Sequence, residues 1–204
     1  LDLLRYKSTK VEAGKLTSLE DYKQRADTEQ KAIFYIVGEN EKILRSSPLL
    51  ESYNKNNIEV LILDDKEIDE IITPTMGAYK DWEFKDITAC EPPKVEQSEE
   101  AKKEVEEKFE SILAKIKDKL GDAVKDVKVT NRLSESPSCV VKDVADAQMA
   151  QMMQMMRAMG QEMPQSAPIL EINPEHEIVK KLNGCADEST IEDVSWILLD
   201  QAKL

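Results

Sequence analysis

Aromatic side chains are scarce in this sequence, at 5% of residues, and it holds only six glycines. Those glycines, at positions 14, 38, 77, 121, 160 and 184, stand singly, so neither a phosphate-cradling loop nor a dinucleotide fingerprint can be built from them. Three cysteines, Cys90, Cys139 and Cys185, lie far apart without a CxxC pair, and there is one histidine, His176. A zinc knuckle, a disulfide framework and a histidine-based triad are therefore excluded, and a reducing cytoplasm is the expected location. His176 falls in the first turn after Asn173-Pro174, where it reads as structural rather than as a general base. Positive charge is in deficit: 28 Lys and Arg stand against 41 Asp and Glu, a net charge of -13. That balance repels phosphate backbones, so nucleic acid is not an expected partner. No stretch approaches the roughly 18 apolar residues of a membrane span, and no leader pattern is present, so no membrane partner is expected. Carboxylates are plentiful, but nothing separates a catalytic pair from solvated acidic faces. No catalytic residue, cofactor or metal ligand is assigned.

What is present is enough to fold. With 204 residues, 41% hydrophobic and 34% charged, the chain can bury one or two ordinary cores and favours two modest domains. It starts at Leu1 without methionine and stops at Leu204 inside an apolar helical pattern, which is the expectation for a piece of a longer protein. Ser18 to Asp21 reads as a capping box opening a helix to about Glu29. The run from Ala32 to Val37 and the run from Glu59 to Leu63 read as buried strands. Ser47-Pro48 between them starts a helix to about Asn56, and strand, helix, strand implies a parallel βαβ unit. Residues 91–98, with paired prolines, are the expected linker.

Beyond the linker, Val105, Phe109, Ile112, Ile116 and Leu120 recur at helical spacing, with Gly121 as the stop. Segments 126–130, 138–141 and 169–172 predict a small antiparallel or mixed sheet. Asn173-Pro174 caps a predicted helix to about Leu182, and a last helix begins near Glu188. That helix carries Ile191, Val194, Trp196, Ile197, Leu198 and Leu199, too apolar on too many sides for a lone surface helix. Residues 148–159 hold six of the eight methionines. On a helix Met149, Met152, Met153, Met156 and Met159 share one stripe, with Met155 toward its edge. Two readings stay open: a core-facing stripe, or an adaptable apolar surface for many partners, which unbranched thioethers suit.

Five ordered blocks then carry a resemblance: Leu3 to Lys10, Ser18 to Tyr22, Ser46 to Glu51, Thr130 to Leu133 with Pro137, and Leu170 to Pro174. Together they resemble the middle-to-C-terminal part of the ninety-kilodalton heat-shock chaperone family, most of all its bacterial branch, the high-temperature protein G type. The resemblance implies an α+β chain. Residues 1–90 would be the end of the middle domain, a small αβα unit containing the parallel βαβ element. Residues 99–204 would be a mixed helix and small-sheet C-terminal dimerisation domain lacking its final helix.

It further implies stress-linked protein folding through contact with unfolded clients, and pairing with a second copy. Clients would touch Met149, Met152, Met153, Met155, Met156 and Met159, together with Glu70 and Ile71. Ile71 departs from the tryptophan that the family carries there. The dimer interface would use Ile191, Val194, Trp196, Ile197, Leu198 and Leu199. ATP with magnesium would belong to the longer parent and not to this stretch, which is therefore expected not to be an enzyme by itself. The alternative is a purely structural dimerisation module in which the methionine helix is buried.

Overall fold

The computed structural model describes residues 1–93, 99–143 and 166–203, which form two compact units, Leu1–Pro92 and Pro93–Leu204. In the first unit a five-stranded sheet runs in the order β1-β3-β2-β5-β4, with β1 Lys7–Ser8, β2 Ala32–Val37, β3 Val60–Leu63, β4 Ala78–Tyr79 and β5 Trp82–Asp86. Both neighbours of β2 are parallel to it, Phe34 facing Val60 on one side and Lys85 on the other. A central parallel strand is covered on both faces, which is why Ala32 to Val37 is unbroken by polar residues.

Helix α1 (Leu19–Arg25) packs Leu19 and Tyr22 with Ile33, Tyr35, Leu61 and Leu63. Alternate strand residues point to the other face, where Phe34 meets Tyr53 edge-on at 5.2 Å. Tyr53 lies on α3 (Glu51–Lys55), reached from α2 (Glu41–Arg45) through a 3-10 turn at Pro48–Leu50 that Ser47 caps. The expected single helix from Ser47 to Asn56 is thus a tight turn followed by α3.

Polar pins hold this unit at its most buried points. The Tyr22 hydroxyl donates to the Glu59 carbonyl at 2.8 Å and accepts from the Phe34 amide at 3.0 Å and from Gln30 Nε2 at 3.1 Å. The buried Glu59 carboxylate takes both Arg25 Nε, at 2.9 Å, and Arg25 Nη2, at 2.7 Å, as well as the Ser8 hydroxyl. One carboxylate so ties α1 and β1 to the start of β3, a bidentate arrangement that fixes geometry as well as charge.

Helix α1 stops four residues earlier than its sequence pattern predicts. The Ser18 cap forms as expected, its side chain accepting from the Asp21 amide at 3.1 Å. At the other end Asp27 accepts from the Glu29 amide at 3.1 Å, and this side-chain turn outcompetes a further helical turn. The β4–β5 hairpin has no counterpart in the sequence reading. Its turn places Lys80 and Asp81 at φ 46° and 68°, a conformation usually signalled by Asn-Gly.

The second unit stacks helices on a three-stranded sheet ordered β6-β8-β7, with β6 Asp126–Val129, β7 Ser138–Val141 and β8 Ile169–Ile172. β6 is parallel and β7 antiparallel to β8, so the sheet is mixed. Helix α5 (Glu99–Leu120) buries Phe109, Ile112, Ile116 and Leu120 against Val127, Leu170 and Ile172. Gly121 follows at φ 51°, the left-handed conformation that ends a helix most cheaply at glycine. Helix α6 (Glu177–Asn183) and helix α7 (Glu188–Lys203) complete the core.

Asn173 does not cap α6. It accepts from the Glu175 amide at 3.0 Å in a local turn, and the cap is His176, whose Nδ1 accepts from the Ile178 amide at 3.2 Å. The lone histidine is thus a helix cap just outside the first turn, where an imidazole acceptor satisfies one of the free amides.

Candidate functional site

Helix α4 (Lys66–Ile72) buries none of its residues. Its three isoleucines, Ile68, Ile71 and Ile72, sit at i, i+3 and i+4, share one face, and are 51%, 62% and 45% exposed. The helix is held by its ends and backbone rather than by its apolar side. Asp69 accepts from the Asp65 amide at 3.1 Å, and the buried Thr73 hydroxyl donates to the Asp69 carbonyl. Burial pushes the Asp69 carboxyl above its ordinary value. A contiguous aliphatic stripe at the surface forgoes roughly 1.5–3 kcal/mol for each side chain that could have been buried.

Helix α7 has two faces. Ile191, Leu198 and Leu199 are fully buried in the unit's own core, and Val194 packs against that core. On the same buried side Ser195, and Ser138 of β7, donate to the carbonyls of Ile191 at 2.6 Å and Leu198 at 2.7 Å. On the outer face Trp196 and Ile197 are 40% and 58% exposed. The six α7 residues assigned from the resemblance to pairing therefore divide. Ile191, Leu198 and Leu199 are consumed in holding the sheet and α5, while Trp196 and Ile197 are the apolar pair open to a partner.

Glu70 and Ile71 both lie exposed on α4, beside Ile68 and Ile72, which the sequence reading left out. The signal for those two was available: Ile-Asp-Glu-Ile-Ile has the spacing of a helical stripe. Met149, Met152, Met153, Met155, Met156 and Met159 lie outside the described residues. Among the described residues no three His, Cys, Asp or Glu side chains converge to hold a metal, and no helix is long and apolar enough to cross a membrane.

Each α+β unit turns part of an apolar helix face outward, Ile68, Ile71 and Ile72 in the first and Trp196 and Ile197 in the second. The comparisons supply the family. The Hsp90 protein family profile matches residues 1–204. The chain is 85% identical over 204 residues to the chaperone protein HtpG of Aliarcobacter butzleri and 55% identical over 204 residues to that of Sulfurovum sp.. It is 48% identical over 209 residues to the chaperone protein HtpG of Treponema denticola. All three alignments cover the whole of this chain and 32% of the relative. The chain belongs to the Hsp90 family, in its bacterial HtpG type, and spans about a third of the length of those relatives.

Proposed function

We propose that this chain supplies client contact and self-association to a longer cytoplasmic chaperone whose ATP site, with its magnesium, lies in another part of the protein. The observation that carries the reading is the exposed stripe Ile68, Ile71 and Ile72 on a helix that contributes nothing to the core. Unfolded chains offer scattered apolar side chains, and an aliphatic stripe binds these weakly and without regard to sequence. Ile71 standing where the family carries tryptophan makes this patch flatter and purely aliphatic. The segment Met149 to Met159 would extend the same chemistry with adaptable thioethers. Under this reading the chain performs no catalysis of its own.

The test is suppression of an aggregating client without nucleotide, comparing the chain with Ile68→Ser/Ile71→Ser and with Met152→Glu/Met156→Glu. The α4 variant is expected to lose protection while its unfolding midpoint stays in place, because surface changes away from packing move stability by about 0.5 kcal/mol or less. Equal protection by all three proteins would remove both surfaces from client contact. A melting temperature that collapses only in the methionine variant would instead favour the buried-helix alternative, since an unpaired carboxylate in a core is costly. The exposed Trp196 and Ile197 favour pairing through the outer face of α7.

A further inference from the structure

Among the described residues strand β6 is an edge, pairing only with β8, and Thr130 just beyond it donates to the Ile172 carbonyl at 2.9 Å. That bond fixes the parity of the strand. Asp126 and Lys128 direct their backbone groups at β8, so Val127 and Val129 direct theirs outward. The Val127 amide agrees, being satisfied by the Asp126 carboxylate at 2.8 Å instead of by a strand.

Along this edge runs an open groove of about 560 Å³ lined by Glu106, Glu107, Glu110, Leu113, Val127, Lys128 and Val129. Successive strand residues point to opposite faces, so a groove that touches three in a row follows the edge itself. Its far wall is the flank of α5. Leu113 and Val129 are half-buried and give it an apolar floor, whereas Glu106, Glu107 and Glu110 are exposed and take part in no ion pair among the described residues. Lys128, the one cation lining the groove among the described residues, lies 3.5 Å from Asp126.

We propose that this groove binds an extended segment of another polypeptide as a strand added to β6, and that it selects segments with lysine or arginine at every second position. Three features converge on that occupant. An outward-facing strand edge offers main-chain hydrogen bonds that any extended chain can accept and donate. Every second side chain of an added strand faces α5, where the apolar floor receives the aliphatic stem of a lysine or arginine. The glutamate wall, on the same α5 face, attracts the charged ends at those same positions and repels acidic segments, and this is where the selectivity arises. The site is separate from the α4 stripe and does not depend on the client-contact reading of it.

The experiment is fluorescence anisotropy of the whole chain with a labelled peptide of alternating lysine and valine, against a control of alternating glutamate and valine. Only the basic peptide is expected to bind. Glu106→Gln/Glu107→Gln/Glu110→Gln, which keeps helix propensity, should weaken it by about tenfold, the worth of a few exposed ion pairs. Ile68→Ser/Ile71→Ser should leave it unchanged. Amide hydrogen exchange on the unaltered chain should slow at Val129 when the peptide is present, a readout that needs no substitution. Equal binding of the acidic peptide, full affinity in the glutamine variant, or protection confined to other strands would overturn the proposal.

Discussion

The two units solve the same problem differently. In residues 1–92 the sheet and its helices are pinned by buried polar groups, with Tyr22 and Glu59 each bonding three partners, and the outward apolar helix α4 adds no buried residue to the core. In the second unit the join between α5, α7 and the sheet is mostly aliphatic, and the outward apolar helix α7 is itself a wall of the core. Exposed apolar surface and fold are therefore separable on α4 and fused on α7. A chain evolving a new contact surface can alter α4 at little cost, but on α7 it can alter only the outer positions such as Trp196 and Ile197.

The sharpest test of this contrast is Leu199→Ala, which removes a fully buried side chain from α7. It is expected to cost about 2–5 kcal/mol, read as a lowered urea midpoint for the second unit, because lost transfer energy and the remaining cavity add. An effect under about 0.5 kcal/mol would show that α7 is no more part of its core than α4 is.

Next in size is Tyr22→Phe, which deletes one hydroxyl and keeps the ring. The Phe34 amide and Glu59 carbonyl then lose a buried partner, for an expected loss of about 1–3 kcal/mol in urea unfolding. A neutral outcome would mean that apolar packing suffices in the first unit as well.

The smallest effect separates α4 from α7 by the sign of the acid response of one carboxyl on each, Asp69 and Glu188. Burial raises the folded-state pKa of Asp69, so the folded chain holds this proton more tightly than the unfolded chain does. Its contribution is present below the ordinary carboxylate pKa and is lost as the pH rises through the raised value. Glu188 is the reverse, held low by Lys115 at 3.0 Å and Lys119 at 3.3 Å, which tie α7 to α5. Its contribution is present at neutral pH and disappears as the pH falls through the depressed value. In melting curves taken between neutral and acid pH, Asp69→Asn should steepen the acid loss and Glu188→Gln should flatten it. The same change from both substitutions would refute the assignment.

Sequence periodicity was a good guide at three elements whose burial is one-sided or complete. The run Ala32 to Val37 became β2 residue for residue, Ser138 to Val141 became β7, and the stripe Phe109 to Leu120 became the buried face of α5. It failed where a local side-chain bond decides the backbone, as when Asp27 ends α1 and His176 takes the cap from Asn173. It failed also at β5, although Trp82, Glu83, Phe84 and Lys85 alternate in burial, because the hairpin turn leading into it carries Lys-Asp where a sequence signal would have Asn-Gly. On the candidate site, Glu70 and Ile71 came from the resemblance alone, and Ile68 and Ile72 came only from the exposed face of α4.

Composition, apolar spacing and five ordered blocks determined that this is an α+β chain of the Hsp90 type without a glycine-rich phosphate loop or a cysteine-histidine metal pattern, since these depend on residue identity and near neighbours. The tertiary structure decided which of two similar apolar patterns is spent and which is offered. Ile191 and Ile71 are the same residue on helices of similar character, yet one is 0% and the other 62% exposed. The difference lies in whether a sheet and a second helix arrive from elsewhere in the chain to cover that face, and long-range packing of that kind leaves no mark on local spacing.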